Sequence, residues 1–164
     1  MNQSEKRLFL IQSLLNERPS CQRQIVPADS ERQKILLRGL INVRRPANIG
    51  ADFLQVQDEY LQGETATKGV TDIAELTPIQ PGLYLWQGDI TTLKCDAIVN
   101  AANSGMTGCY IPNHRCIDNA IHTFAGVELR LACAELMEQQ GYPEPTGQAK
   151  ITPAFNLPCR YVLH

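Results

Sequence analysis

The sequence predicts an α/β fold behind a helical N-terminal extension. Three observations carry this. Apolar residues recur at helical spacing over the first 80 positions. The period shortens after Gly82, where short apolar runs begin. The later elements run strand, strand, helix, helix, strand, strand, an order that gives an α/β layer with some parallel strands.

Each element has its own signal. Leu8, Ile11 and Leu15 mark a first helix, which Pro19 is expected to close. Ser30 and Gln33 have capping-box spacing, and Leu36, Leu40 and Val43 form a second stripe ended by Arg44, Arg45 and Pro46. Phe53, Val56 and Tyr60 form a third, expected to stop near Gly63. The polar stretch 63–81 is the expected boundary, dividing an extension, 1–80, from a second unit, 81–164. Leu83–Trp86 reads as a buried strand with Trp86 in the core, and Asp96–Val99 as another. Ile117, Ala120, Ile121 and Phe124 share a helix face broken by Gly126. Leu129, Cys133, Leu136 and Met137 share the next, ended by Gly141 and Pro143. Ala149–Phe155 and Arg160–His164 read as strands. The chain stops inside the last of these, which predicts a fragment of a longer protein.

Composition excludes several function classes. The net charge is −2 and charged residues make up 20% of the chain, so no basic field exists for nucleic acid or an anionic membrane surface. No apolar run has the length of a membrane span. The first residues, MNQSEKRLFLIQSLL, lack a small-residue cleavage site and read as an amphipathic helix rather than a signal peptide. Six cysteines without a secretion signal point to a reduced, cytoplasmic protein. There is no G-x-G-x-x-G, P-loop or G-x-S-x-G, which argues against dinucleotide, NTPase and α/β-hydrolase chemistry.

Cys109, His114 and Cys116 are the most specific feature. Two thiols and an imidazole within eight residues favour zinc. Three protein ligands leave a tetrahedral position open, as in catalytic sites; a structural site completed by Cys95, His122 or Cys159 stays open too. The bland alternative is a loop with two incidental thiols. Asn100-Ala-Ala-Asn103-Ser104-Gly105 follows an apolar strand, where open α/β sheets bind ligands, and its amides suit sugar hydroxyls. It also has the composition of a polar turn. Asp89, in Gln87-Gly88-Asp89-Ile90-Thr91, suits either an exocyclic amine or a helix cap. Asp118 opens the helix after Cys116, where backbone N–H groups favour phosphate; its default role is a cap. His122 reads as packed or on the surface, and His164 as inert by itself.

Together, Q-G-D-I-T at 87–91, D-A-I-V-N-A-A-N-S at 96–104 and I-D-N-A-I-H at 117–122 resemble the macrodomain family, which binds ADP-ribose. The segment G-C-Y-I-P-N-H-R-C stands where macrodomain hydrolases usually carry glycines, and resembles the zinc-containing bacterial branch with its helical N-terminal extension. The resemblance implies a mixed sheet between helices, of which 81–164 would be the N-terminal part. It places Asp89 and the Ile90 backbone at adenine, Asn100 beneath the strand-end loop and Asn103 at the distal ribose. Ile117, Asp118 and Asn119 would lie along the diphosphate and distal ribose, and Cys109, His114 and Cys116 would hold zinc.

The branch removes mono-ADP-ribose from proteins, in some cases lipoyl-carrier proteins, often beside a sirtuin-type transferase. The implied reaction is hydrolysis at the anomeric carbon of the distal ribose, with Asn103 and Asp118 as catalytic residues. Zinc would acidify a water or seat the ribose hydroxyls. The competing reading is a module that binds ADP-ribose without cleaving it. A third is a zinc-stabilised interaction domain, which would unfold without its metal.

Overall fold

The computed structural model describes residues 1–18 and 24–164. Pro19 therefore lies outside the described residues.

Three helices form the extension: α1 (Gln3–Asn16), α2 (Ser30–Val43) and α3 (Ala51–Lys68). The Asn2 side chain caps α1, in a capping box with Glu5. Asp29, not Ser30, caps α2: its carboxylate accepts from the Arg32 N–H at 2.8 Å. Ser30 is already inside the helix, and with Arg32 three residues after Asp29 the expected box is replaced by a single side-chain cap. α3 runs through Gly63 to Lys68 and stops at Gly69, where φ is +89°. Gly63 marks a close approach instead: an added Cβ would meet the Gln3 amide at 2.5 Å.

Leu10, Ile11, Leu14 and Leu15 of α1 pack with Leu37, Leu40 and Ile41 of α2 and with Phe53, Val56, Tyr60 and Leu61 of α3. Burying each large side chain contributes about 1.5–3 kcal/mol. Leu8 is 42% exposed, so the inward face of α1 is centred on Leu10–Ile11 and Leu14–Leu15. No helix among the described residues is long and apolar enough to cross a membrane.

Two small sheets follow. β1 (Thr71–Asp72) pairs in parallel with β2 (Leu93–Lys94). β1 precedes the boundary expected at residue 80, and β2 follows it. The second sheet has the order β3 (Ala97–Val99), β5 (Tyr161–Leu163), β4 (Ile151–Pro153). β3 and β5 are parallel, β4 and β5 antiparallel. The register aligns Ile98, Val162 and Thr152, the buried residue of each strand. They face α4 (Ile117–Ala125) and α5 (Val127–Gln140), building a second core with Ile121, Leu129, Cys133 and Leu157.

Leu83–Trp86 is not a strand. Leu83 pairs only with Gln80 across a tight turn, and Leu83, Tyr84 and Leu85 are exposed. A short apolar run without a neighbouring ladder cannot satisfy its backbone as a strand. Trp86 is half-buried and lies against Gly88.

Val127 of α5 packs into the first core, and polar contacts join the two cores as well. Arg130 of α5 donates to the carbonyls of Ile41, Asn42 and Arg44 at the C-terminal end of α2, where a cation is favoured. The Gln57 side chain accepts from the Val127 N–H at 2.9 Å. Gly126, with φ of +99°, lets α4 pass into α5 beside Gln57.

Candidate functional site

The strand-end loop begins at Asn100, whose N–H donates to the Leu163 carbonyl at 2.7 Å and extends the β3–β5 ladder. Its side chain is therefore turned inward and is 3% exposed. The Asn100 amide donates to Asp118 Oδ1 at 2.8 Å and lies 3.2 Å from His164 Nδ1. Asn103 is exposed and shaped by its own turn: its Oδ1 accepts from the Gly105 N–H and its Nδ2 donates to the Gly108 carbonyl. Loop 100–106 faces loop 144–148 and His164 across a cleft of about 340 Å³.

Asp118 does not cap α4. Cys116 does, its sulfur accepting from the Asn119 N–H at 3.4 Å. Asp118 instead turns inward, where burial pushes its carboxyl above the usual range against the opposing pull of Asn100 and Arg130. Ile117 is partly exposed at the start of the helix. Asn119 is fully buried and points toward the extension: its Oδ1 accepts from Arg38, and its Nδ2 donates to the Ile111 carbonyl.

Cys109, His114 and Cys116 converge at the N-terminal end of α4, their ligand atoms all within 4.8 Å of one another. Cys109 Sγ and His114 Nδ1 are 3.6 Å apart. Zinc bonds of ~2.3 Å to sulfur and ~2.0–2.1 Å to nitrogen, at a tetrahedral angle, set that separation at about 3.6 Å. The donor set and spacing therefore fit zinc. Burial and the neighbouring Cys109 push the Cys116 thiol up, and the Asn119 N–H opposes them. Among the described residues no fourth His, Cys, Asp or Glu joins the group.

A second trio, His122, Cys133 and His164, has ligand atoms equally close but is wholly buried. Burial favours the uncharged form of each of the three side chains. Burial drives the Cys133 thiol up to about 12. Burial and the Arg130 charge bring His122 down to about 3. His164 Nε2 is already 2.9 Å from Thr152 Oγ1. Cys133 and His164 form a hydrogen-bonded wall behind the strand-end loop with Thr152, whereas both ring nitrogens of the buried His122 lack a hydrogen-bond partner. His164 is thus part of the site's support, contrary to the expectation that it is inert; only its pairing with Asn100 and Thr152 reveals this.

Asp89 caps the 3-10 turn Ile90–Thr92, accepting from the Thr91 N–H and hydroxyl, and pairs with Lys68 at 3.1 Å. Burial raises its carboxyl, but the Thr91 and Lys68 contacts outweigh that and leave it below the usual range. Ile90 packs against the second core. The structure thus joins Asn100 to Asp118, and Asn103 to the Cys109–Cys116 loop through Gly108, while the polar contacts of Asp89 go to Lys68 and Thr91. Arg38, Asn42 and Arg130 also touch this region, though nothing in their spacing marks them.

Residues 99–164 match the family model for the Macro domain. The chain is 58% identical over 168 residues to a protein-ADP-ribose hydrolase of Treponema medium, and 48% identical over 157 residues to one of Staphylococcus aureus. Those alignments take in 100% and 95% of this chain, which spans 64% and 59% of the two relatives' lengths. Among solved structures it resembles a Trypanosoma brucei macrodomain in complex with ADP-ribose, with a TM-score of 0.50 and 28% identity, covering 77% of this chain and 57% of that one.

The fold is macrodomain-like.

Within it, the strand-end loop is Asn100–Gly105, and the Cys109–Cys116 loop leads directly into α4.

Proposed function

We propose that this chain carries the ADP-ribose-recognising and zinc-holding part of a protein-ADP-ribose hydrolase. The observation that carries the reading is the Cys109–His114–Cys116 triad standing one residue beyond the Gly108 carbonyl that Asn103 grips. The likeness to proteins named protein-ADP-ribose hydrolase supports it.

Asn103 orients the distal ribose with its amide. Asn100 holds the strand-end loop in register and fixes Asp118, which acts through Asn100 because it is buried rather than open to water. Asp89 and the Ile90 backbone receive adenine, with Lys68 restraining the Asp89 carboxylate. Ile117 and the Asn119 backbone follow the diphosphate. Cys109, His114 and Cys116 hold zinc, which when bound supplies Lewis-acid polarisation of water or of ribose hydroxyls. Water attacks the anomeric carbon, the bond to the acceptor breaks, and free ADP-ribose and the unmodified protein result.

The test is release of free ADP-ribose from a mono-ADP-ribosylated protein by the full chain, with and without a zinc chelator. A modified lipoyl-carrier protein, paired with its sirtuin-type transferase, is the first substrate to try. Release that stops with chelator, and in Cys116→Ala, is the expected result. ADP-ribose binding without release under either condition would overturn the hydrolase and leave a binding module.

A further inference from the structure

The metal-ligand loop does not hold its own shape. Between Cys109 and Cys116 it has one backbone hydrogen bond of its own, from the His114 N–H to the Ile111 carbonyl at 3.2 Å. Its other polar contacts go to α4 and α5 and, through Arg38 and Asn42 of α2, to the helical extension. Arg38 of α2 donates to the carbonyl of His114, itself a ligand, at 3.1 Å. The same guanidinium donates through Nη2 and Nε to Asn119 Oδ1 at 2.9 and 3.2 Å, and Asn119 Nδ2 donates onward to the Ile111 carbonyl at 3.1 Å.

One helical turn along, Asn42 Oδ1 accepts from the Asn113 N–H at 2.9 Å. Its amide donates to Thr123 Oγ1, which donates to the Asn119 carbonyl. Asn42 and Asn119 are both fully buried. Between the two anchors, Gly39 lets the α2 backbone approach: a Cβ there would meet Asn113 Nδ2 at 3.1 Å. Asn113 is held at φ of +56°, the left-handed region, beside the ligand His114.

We propose that Arg38 and Asn42 are positioning residues of the metal site: through them the helical extension sets the geometry in which Cys109, His114 and Cys116 bind their ion. The proposal rests on the metal reading of that triad. A ligand loop fixed before binding loses less conformational freedom when the ion arrives. Groups that orient metal ligands typically account for about 10–100-fold in metal affinity. The extension is then a working part of the site rather than a cover for the sheet.

The experiment is titration of the full, metal-free chain with cobalt(II), read by the sulfur-to-cobalt charge-transfer and visible bands, with melting temperature recorded in parallel. Wild type is expected to bind one ion with a two-thiolate spectrum. Arg38→Ala and Asn42→Ala are expected to weaken that binding about 10–100-fold. Arg38→Lys, which keeps a donor for the His114 carbonyl, is expected to recover part of it. Ile11→Val, which loosens the extension core away from the loop, controls for stability and is expected to keep wild-type affinity. Wild-type affinity in both alanine variants would overturn the proposal, as would an equal loss in Ile11→Val. Absence of the thiolate spectrum in wild type would instead overturn the metal reading itself, and this inference with it.

Discussion

At the scale of single residues, the acid response of this protein turns on two imidazoles. Burial brings His164 down to about 4, and burial with the Arg130 charge brings His122 to about 3, both from an ordinary value of 6.5. Both are neutral in the fold and take up protons on unfolding. Their contribution to stability is whole above about pH 6.5 and is lost progressively as pH falls toward about 4. Asn100, Thr152 and Cys133 face His164; Asp118 and Arg130 face His122. Asp118, raised by burial, acts in the opposite sense at lower pH. The melting temperature should therefore fall between pH 7 and pH 5, and His164→Gln should flatten that fall. An unchanged slope in the variant would show that the imidazole is not its source. Sequence alone made His164 look inert because its partners, Asn100 and Thr152, are 64 and 12 residues away.

At the scale of elements, capping and glycine geometry decide the boundaries. Gly126 breaks α4 from α5 as its sequence position suggests, and the reason is a φ of +99° with no room for a Cβ beside Gln57. Gly126→Ala should cost about 1–3 kcal/mol, measured by urea unfolding. Gly63 sends the same signal in the sequence yet lies within α3, because a glycine also appears where another chain segment comes close. Helical stripes were legible to within a few residues, since spacing reports which face is buried. The run Leu83–Trp86 was not: apolar residues mark a strand only if a partner strand lies alongside, and that is a fact about distant chain.

For the whole molecule, the junction between the two cores combines the packing of Val127 with polar contacts, among which Arg130 stands out. Arg130 supplies donors to three carbonyls at the end of α2. Arg130→Met keeps much of the side-chain volume and leaves those carbonyls without their donor. It should cost more than about 2 kcal/mol, each abandoned buried acceptor costing about 1–3. Circular dichroism should show the transition moving to lower temperature in extension and sheet together; melting of the two cores at separate temperatures in wild type would contradict the coupling drawn here.

Local signals in the chain were enough for the helices and for the Cys109–His114–Cys116 group, because each depends on neighbours within a turn or a loop; the mixed character of the sheet came from the resemblance. The turn that begins at Asn100 was legible for the same reason, sitting directly after an apolar strand. Packing decided the rest: that Asp118 turns inward to Asn100, that Asn119 faces Arg38, and that α2 grips the Cys109–Cys116 loop. These contacts join positions 18 to 81 residues apart. No periodicity reports them, because a buried hydrogen bond is specified by the two elements that bring its ends together.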